Sequence, residues 1–290
     1  AMRALESILD STPRLPPGEA ASAMPEPTFA TAFLDANVLM GLKAQQPPPG
    51  VEALPIAPAT LWAFAGKILR AVVKRYRKNT HHGLAGTVLE EVYRALYADT
   101  VGGFIWERIK RNAREAYADN PAGVPDDSWR GGTLLLELLR THAAAHGPLE
   151  LNLVGHSAGA IHICHFVERA AALGDVLGDN LRIKNVLLWA PACTNALFLR
   201  TLARHERAID TLRVFDLSDE LERRDPLVKW LPLAYPHSLL YLVSGLLEEE
   251  GPDTALLGLA RHCAGTSGGD SSAAEVRRWF RERPGQLVLA

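Results

Sequence analysis

A serine flanked by two glycines, in the string Gly155-His156-Ser157-Ala158-Gly159, is the part of this chain best suited to chemistry. A serine hydroxyl is a weak nucleophile at neutral pH unless a base takes its proton and donors stabilise the charge that develops on the substrate. The residues before it, Leu149 to Val154, alternate apolar and polar side chains and then run apolar, the pattern of a strand buried on at least one face. A helical pattern begins directly after the string and runs to about Leu173. Gly-x-Ser-x-Gly between a strand and a helix is a nucleophile elbow, a tight turn that lifts the hydroxyl above the sheet edge. The amide of Ala158, at the start of that helix, then faces a developing oxyanion, where the helix dipole also favours negative charge. His156 flanks the mouth of the pocket, and side chains at Gly155 and Gly159 are expected to collide with the neighbouring strand and helix.

The rest of the chain supplies the scaffold for this serine. Pro-rich sequence dominates residues 1–60, which hold ten of the nineteen prolines, and predicts an irregular arm with one ordered island at Thr28–Leu42. Residues 61–132 read as a helical, cap-like region, with helices over Leu61–Lys78, Gly86–Ala98 and Val101–Tyr117. Residues 133–290 read as an α/β core. A helix over Thr133–Ala145 stops at Gly147-Pro148, and strands follow at Ile183–Trp189, Leu212–Leu217 and Gln286–Ala290. Helices are expected at Asn195–Ala208, at Ser238–Glu248 with Ser238 as its cap, and after the capping box Ser272-Ala273-Ala274-Glu275. Strand–helix alternation predicts a mostly parallel sheet with flanking helices.

From the elbow onward the chain resembles the α/β-hydrolase superfamily in the order of its elements, over roughly residues 133–290. The resemblance implies a serine hydrolase, of the esterase or lipase kind, acting on a small-molecule acyl ester without a cofactor. It implies Ser157 as nucleophile, Ala158 as an oxyanion donor, and an acid just after the second strand that follows the elbow. Asp219 is the first choice for that acid and Asp225 the second, with Asp216 inside the strand. The histidine is expected in a loop after Gln286–Ala290, with His262 and His237 as in-chain alternatives. An upstream His-Gly loop usually supplies the second oxyanion donor. The one similar string, His81-His82-Gly83, follows a basic helical stretch and reads as a helix-ending turn.

Composition narrows the alternatives. A net charge of −2 with scattered Lys and Arg gives no footprint for nucleic acid, and the basic run Lys67–Lys78 reads as the solvated face of an amphipathic helix. Cys164, Cys193 and Cys263 have no metal-ligand spacing and read as buried reduced thiols of a cytoplasmic protein. No apolar run is long enough to span a membrane. No metal site is expected, since His156, His162 and His165 lack a properly spaced Asp, Glu or Cys. Two other readings stand beside the hydrolase. One is a catalytically incomplete binding or assembly module built on the same fold. The other, more remote, is a PIN-like metal nuclease, carried by Asp35-Ala36-Asn37-Val38-Leu39 with Glu90, Glu91, Asp126 and Asp127 as further carboxylates.

Overall fold

The computed structural model describes residues 58–95, 98–120, 130–174, 181–227, 235–265 and 271–290. Asp35, Asp126 and Asp127 of the nuclease reading, and the island Thr28–Leu42, lie outside them. The chain divides into two compact units. One comprises residues 1–104 with 225–252, and the other 105–224 with 253–290.

The second unit is an α/β structure around a four-stranded, wholly parallel sheet. Its strands are β1 (Leu149–His156), β2 (Leu181–Trp189), β3 (Ile209–Asp216) and β4 (Leu287–Leu289), and they lie side by side in chain order. In β1 the residues Leu149, Leu151 and Leu153 turn inward while Glu150, Asn152 and Val154 are exposed, so the alternation read from sequence is the alternation of burial. The outward row is polar at its amino end and paired across strands. Lys184 donates to Glu150 at 2.8 Å, Arg182 to Asp210 at 2.9 Å, and Asn185 to Asn152 at 2.6 Å. The core lies on the other face. Helix α5 (Gly159–Ala172) packs on β1 and buries Ile161, Cys164, Phe166 and Val167, and Leu181, Ile183, Val186 and Leu188 of β2 and Val214 of β3 are buried as well. Each such large apolar side chain contributes about 1.5–3 kcal/mol through burial. Helix α4 (Gly131–His146) packs on α5 and β2, and helix α10 (Ser271–Arg281) brings Trp279 edge-on to Phe198, with ring centroids 5.0 Å apart.

Two expected helices are shorter than their apolar patterns. Asn195–Ala208 is not continuous. It starts as α6 (Asn195–Phe198), widens into a π turn over Leu199–Ala203, and ends in a 3₁₀ turn at Glu206–Ala208. The hydroxyl of Thr201 donates to Leu197 O at 2.7 Å, a back-bond that competes with the regular ladder. Ser238 does cap a helix, accepting from the Tyr241 amide, but regular α-geometry lasts only over Leu239–Leu242 (α8) before a π turn at Val243–Leu247.

The first unit is helical where it is described. Helices α1 (Pro58–Arg77) and α2 (Gly83–Ala95) pack together, joined through a turn that includes His81 and His82, as the sequence reading has it. The division between units falls within helix α3 (Ala98–Ala116). Glu90 and Glu91 on α2 are buried and held by cations. Arg75 pairs with Glu90 and reaches Glu91 at 3.3 Å, and Arg94 donates to Glu91 at 2.5 Å. His82 Nδ1 donates to Glu90 Oε1 at 2.8 Å, and the Tyr235 hydroxyl donates to the same oxygen. Gly245 makes room for this carboxylate, since a Cβ there would lie 2.5 Å from it. No described helix is long and apolar enough to cross a membrane.

Candidate active site at the strand-to-helix turn

β1 delivers the chain to the carboxyl edge of the sheet, where Ser157 turns it back with φ = +50°, a left-handed conformation that a non-glycine residue rarely adopts. Backbone hydrogen bonds hold the turn. The Ser157 amide donates to Trp189 O at 3.0 Å, and Ser157 O accepts from the amides of Ala160 and Ala192, each at 3.1 Å. Ala158 follows in right-handed geometry as the cap of α5, without a side-chain cap. The first turn of α5 carries no acidic residue, so the positive end of its dipole is not neutralised from within the helix. Ser157 is half-buried and His156 is exposed.

The two glycines of the turn are not equivalent. A Cβ on Gly155 would sit 2.7 Å from Ile163 Cδ1 and 3.1 Å from Ala160 N, whereas one on Gly159 would meet nothing within 4 Å. The expected collision therefore holds for Gly155 alone, because Gly159 opens the helix on a side with no neighbour. Gly155→Ala is expected to destabilise by about 1–2 kcal/mol, as overpacking does in a filled core. Gly159→Ala should be neutral or mildly stabilising. Denaturant midpoints of the two variants check the contrast, and equal losses would contradict this geometry.

The loop after β2 forms the next wall. Ala190, also at positive φ (+42°), donates to Phe215 O at 2.9 Å, and the segment 254–258 lies against the loop. Asn195 N donates to Ala255 O at 2.8 Å, Leu257 N to Cys193 O at 3.0 Å, and Gly258 N to Pro191 O at 2.8 Å. This tie accounts for Gly258, whose missing Cβ would fall 2.6 Å from Pro191 O.

The acids fall in different places. Asp216 is the last residue of β3, as the sequence suggests. Asp219 opens helix α7 (Asp219–Arg224), is half-buried, and accepts from Arg223 Nε at 2.8 Å. Asp225 is exposed and belongs to the first unit. What sequence reasoning missed is the state of Asp216. It is buried, neither carboxylate oxygen has a hydrogen-bond partner among the described residues, and burial, then the nearby Glu222, push its carboxyl well above the usual range. Asn195 is likewise buried, with neither side-chain amide atom hydrogen-bonded among the described residues.

His262 is fully committed. Its Nδ1 accepts from the Leu256 amide at 3.1 Å, so its proton sits on Nε2, which donates to Asp253 Oδ1 at 3.0 Å. Asp253, at φ = +66°, also receives Arg261 at 3.2 Å. The imidazole staples its own segment and has no ring nitrogen left for Ser157. His237, in the first unit, donates from Nε2 to His82 O at 2.7 Å. Among the described residues no imidazole is hydrogen-bonded to the Ser157 hydroxyl. The three cysteines are buried and free, and the contact with Cys164, then burial, pushes the Cys193 thiol up. Comparison of the chain with protein-family models, curated proteins and solved structures returns no match.

Proposed function

We propose that the chain is a serine hydrolase of the α/β-hydrolase kind, cleaving a small acyl ester with Ser157 as nucleophile. The observation that carries this reading is the strained Ser157, at φ = +50° between a parallel strand and a helix. In the proposed reaction the Ser157 oxygen attacks the acyl carbonyl while a base takes its proton. The Ala158 amide and the N-terminus of α5 stabilise the oxyanion. The alkoxide leaves protonated, and water then releases the acyl group from Ser157. Asp219 is the acid assigned to orient the base, because the sheet fixes the start of α7 just beyond β3. Its bond to Arg223 must then be exchanged for one to an imidazole.

A specific observation favours a second reading, a fold-related binding module without catalysis: both nitrogens of His262 are spent on Leu256 and Asp253. Labelling with a fluorophosphonate probe separates the two readings. The hydrolase reading expects covalent labelling that Ser157→Ala abolishes, with slower labelling in Asp219→Asn. Absence of labelling in the folded chain would favour the binding module, and labelling that persists in Ser157→Ala would remove Ser157 from the mechanism.

A further inference from the structure

Away from the elbow, helix α9 (Ala260–Cys263), helix α10 and the turn before β4 border an open cleft of about 640 Å³, within the size range of small-molecule sites. None of the residues lining it belongs to the elbow or to the candidate triad. Its walls combine three arginines, Arg277, Arg281 and Arg283, with the apolar groups of Phe280, Leu287 and Cys263. No carboxylate appears among the described lining residues.

The three cations are not equivalent. Arg283 is already neutralised. It donates to Glu206 through Nε at 2.7 Å and a terminal nitrogen at 2.8 Å, and its guanidinium lies over the Trp279 ring at 4.6 Å. This fork and stack hold it rigid, so it serves as wall. Arg277 and Arg281 stand four residues apart on one face of α10, where like charges repel. Arg277 reaches only His262 O, at 3.4 Å, and neither residue has an ion-pair partner among the described residues. Arg277, half-buried, and Arg281, exposed, both border the cleft, and two guanidinium groups without a counter-charge among the described residues suit a planar or tetrahedral oxyanion. Leu287 and Pro284 beside them offer apolar surface for a group attached to it, over the buried ring of Phe280.

We propose that this cleft binds a small amphiphilic anion, a carboxylate or phosphate headgroup carrying an apolar chain, with Arg277 and Arg281 holding the headgroup. The site is independent of the hydrolase reading, so Ser157→Ala leaves it intact. Calorimetric titration of the full chain tests it, with octanoate and octyl phosphate as probes and inorganic phosphate and octanol as the two halves. Both amphiphiles should bind saturably, and each half at least about tenfold more weakly. Arg277→Ala and Arg281→Glu should each weaken binding about tenfold or more. Arg278→Ala, one residue along the same helix and outside the cleft, should not. Arg281→Glu sets a carboxylate four residues after Arg277, an i,i+4 pair that offsets its unfavourable place in the last turn of α10, and circular dichroism checks that the helix is kept. Failure of both amphiphiles to saturate overturns the proposal, as does equal binding by Arg281→Glu or an equal loss in Arg278→Ala. Inorganic phosphate binding as tightly as octyl phosphate also overturns it, reducing the cleft to an ion site.

Discussion

Replacing Glu90 with alanine is expected to destabilise the first unit by about 3–5 kcal/mol, the loss that follows when one member of a buried ionic network is removed. Glu90 is 0 % exposed and answers Arg75, His82 and Tyr235 at once. Without it Arg75 keeps a buried charge with only Glu91 at 3.3 Å to balance it, and the hydroxyl of Tyr235 loses its acceptor. Glu90→Gln should recover little, because its amide end would turn donors toward a guanidinium that is itself only a donor. Thermal or denaturant unfolding of the two variants measures the losses. A change under about 1 kcal/mol in both would mean that the network is not a stabilising element.

The same residue has an acid signature. Burial alone would raise the Glu90 carboxyl, but His82 and Arg75, together with the hydrogen bonds, bring it down to about 2. Its folded value lies below the unfolded value of about 4.3, so its contribution is complete above that pH and is lost as the pH falls toward 2. Wild-type protein should therefore lose stability steeply over that interval, and Glu90→Gln should show a shallower loss.

Nothing along the chain marked Glu90 for this role. From sequence the Glu90-Glu91 pair stood only as further carboxylates of the nuclease reading, and it is tertiary packing that brings Tyr235 and Gly245 to Glu90. The elbow was legible for the opposite reason. Its strand, turn and helix are contiguous from Leu149 to Ala172, and local alternation and small residues specify all three. The positions of β1, β2 and β3 along the chain were legible too, because each strand is an apolar-patterned run bounded by helical sequence. Apolar periodicity could not show where a helix widens into π geometry. At Val243–Leu247 the helix contains Gly245, which packs against Glu90, a contact invisible to any window of sequence. Nor could it show that His262, suited by type to be a base, spends both nitrogens on neighbours within nine residues of it.

Asp216→Asn is expected to stabilise the protein by about 2–3 kcal/mol near pH 8 and to have little effect below about pH 4. The carboxyl stands at the end of β3 without a hydrogen-bond partner among the described residues, and burial makes its charged form costly. Its folded value therefore lies above the unfolded value of about 3.9, and the native state binds this proton more tightly than the unfolded chain does. The contribution of Asp216 is fully present below about pH 4 and is lost as the pH rises through its elevated folded value. Asparagine cannot ionise, so the advantage of the variant must grow as the pH rises. Unfolding curves for both proteins from pH 4 to pH 9 measure the divergence. Parallel curves would mean that the Asp216 charge is compensated in the folded protein, by water or by a cation. Divergence that disappears when a ligand is added would instead place Asp216 in contact with that ligand, and its lack of a protein partner would then have a functional cause.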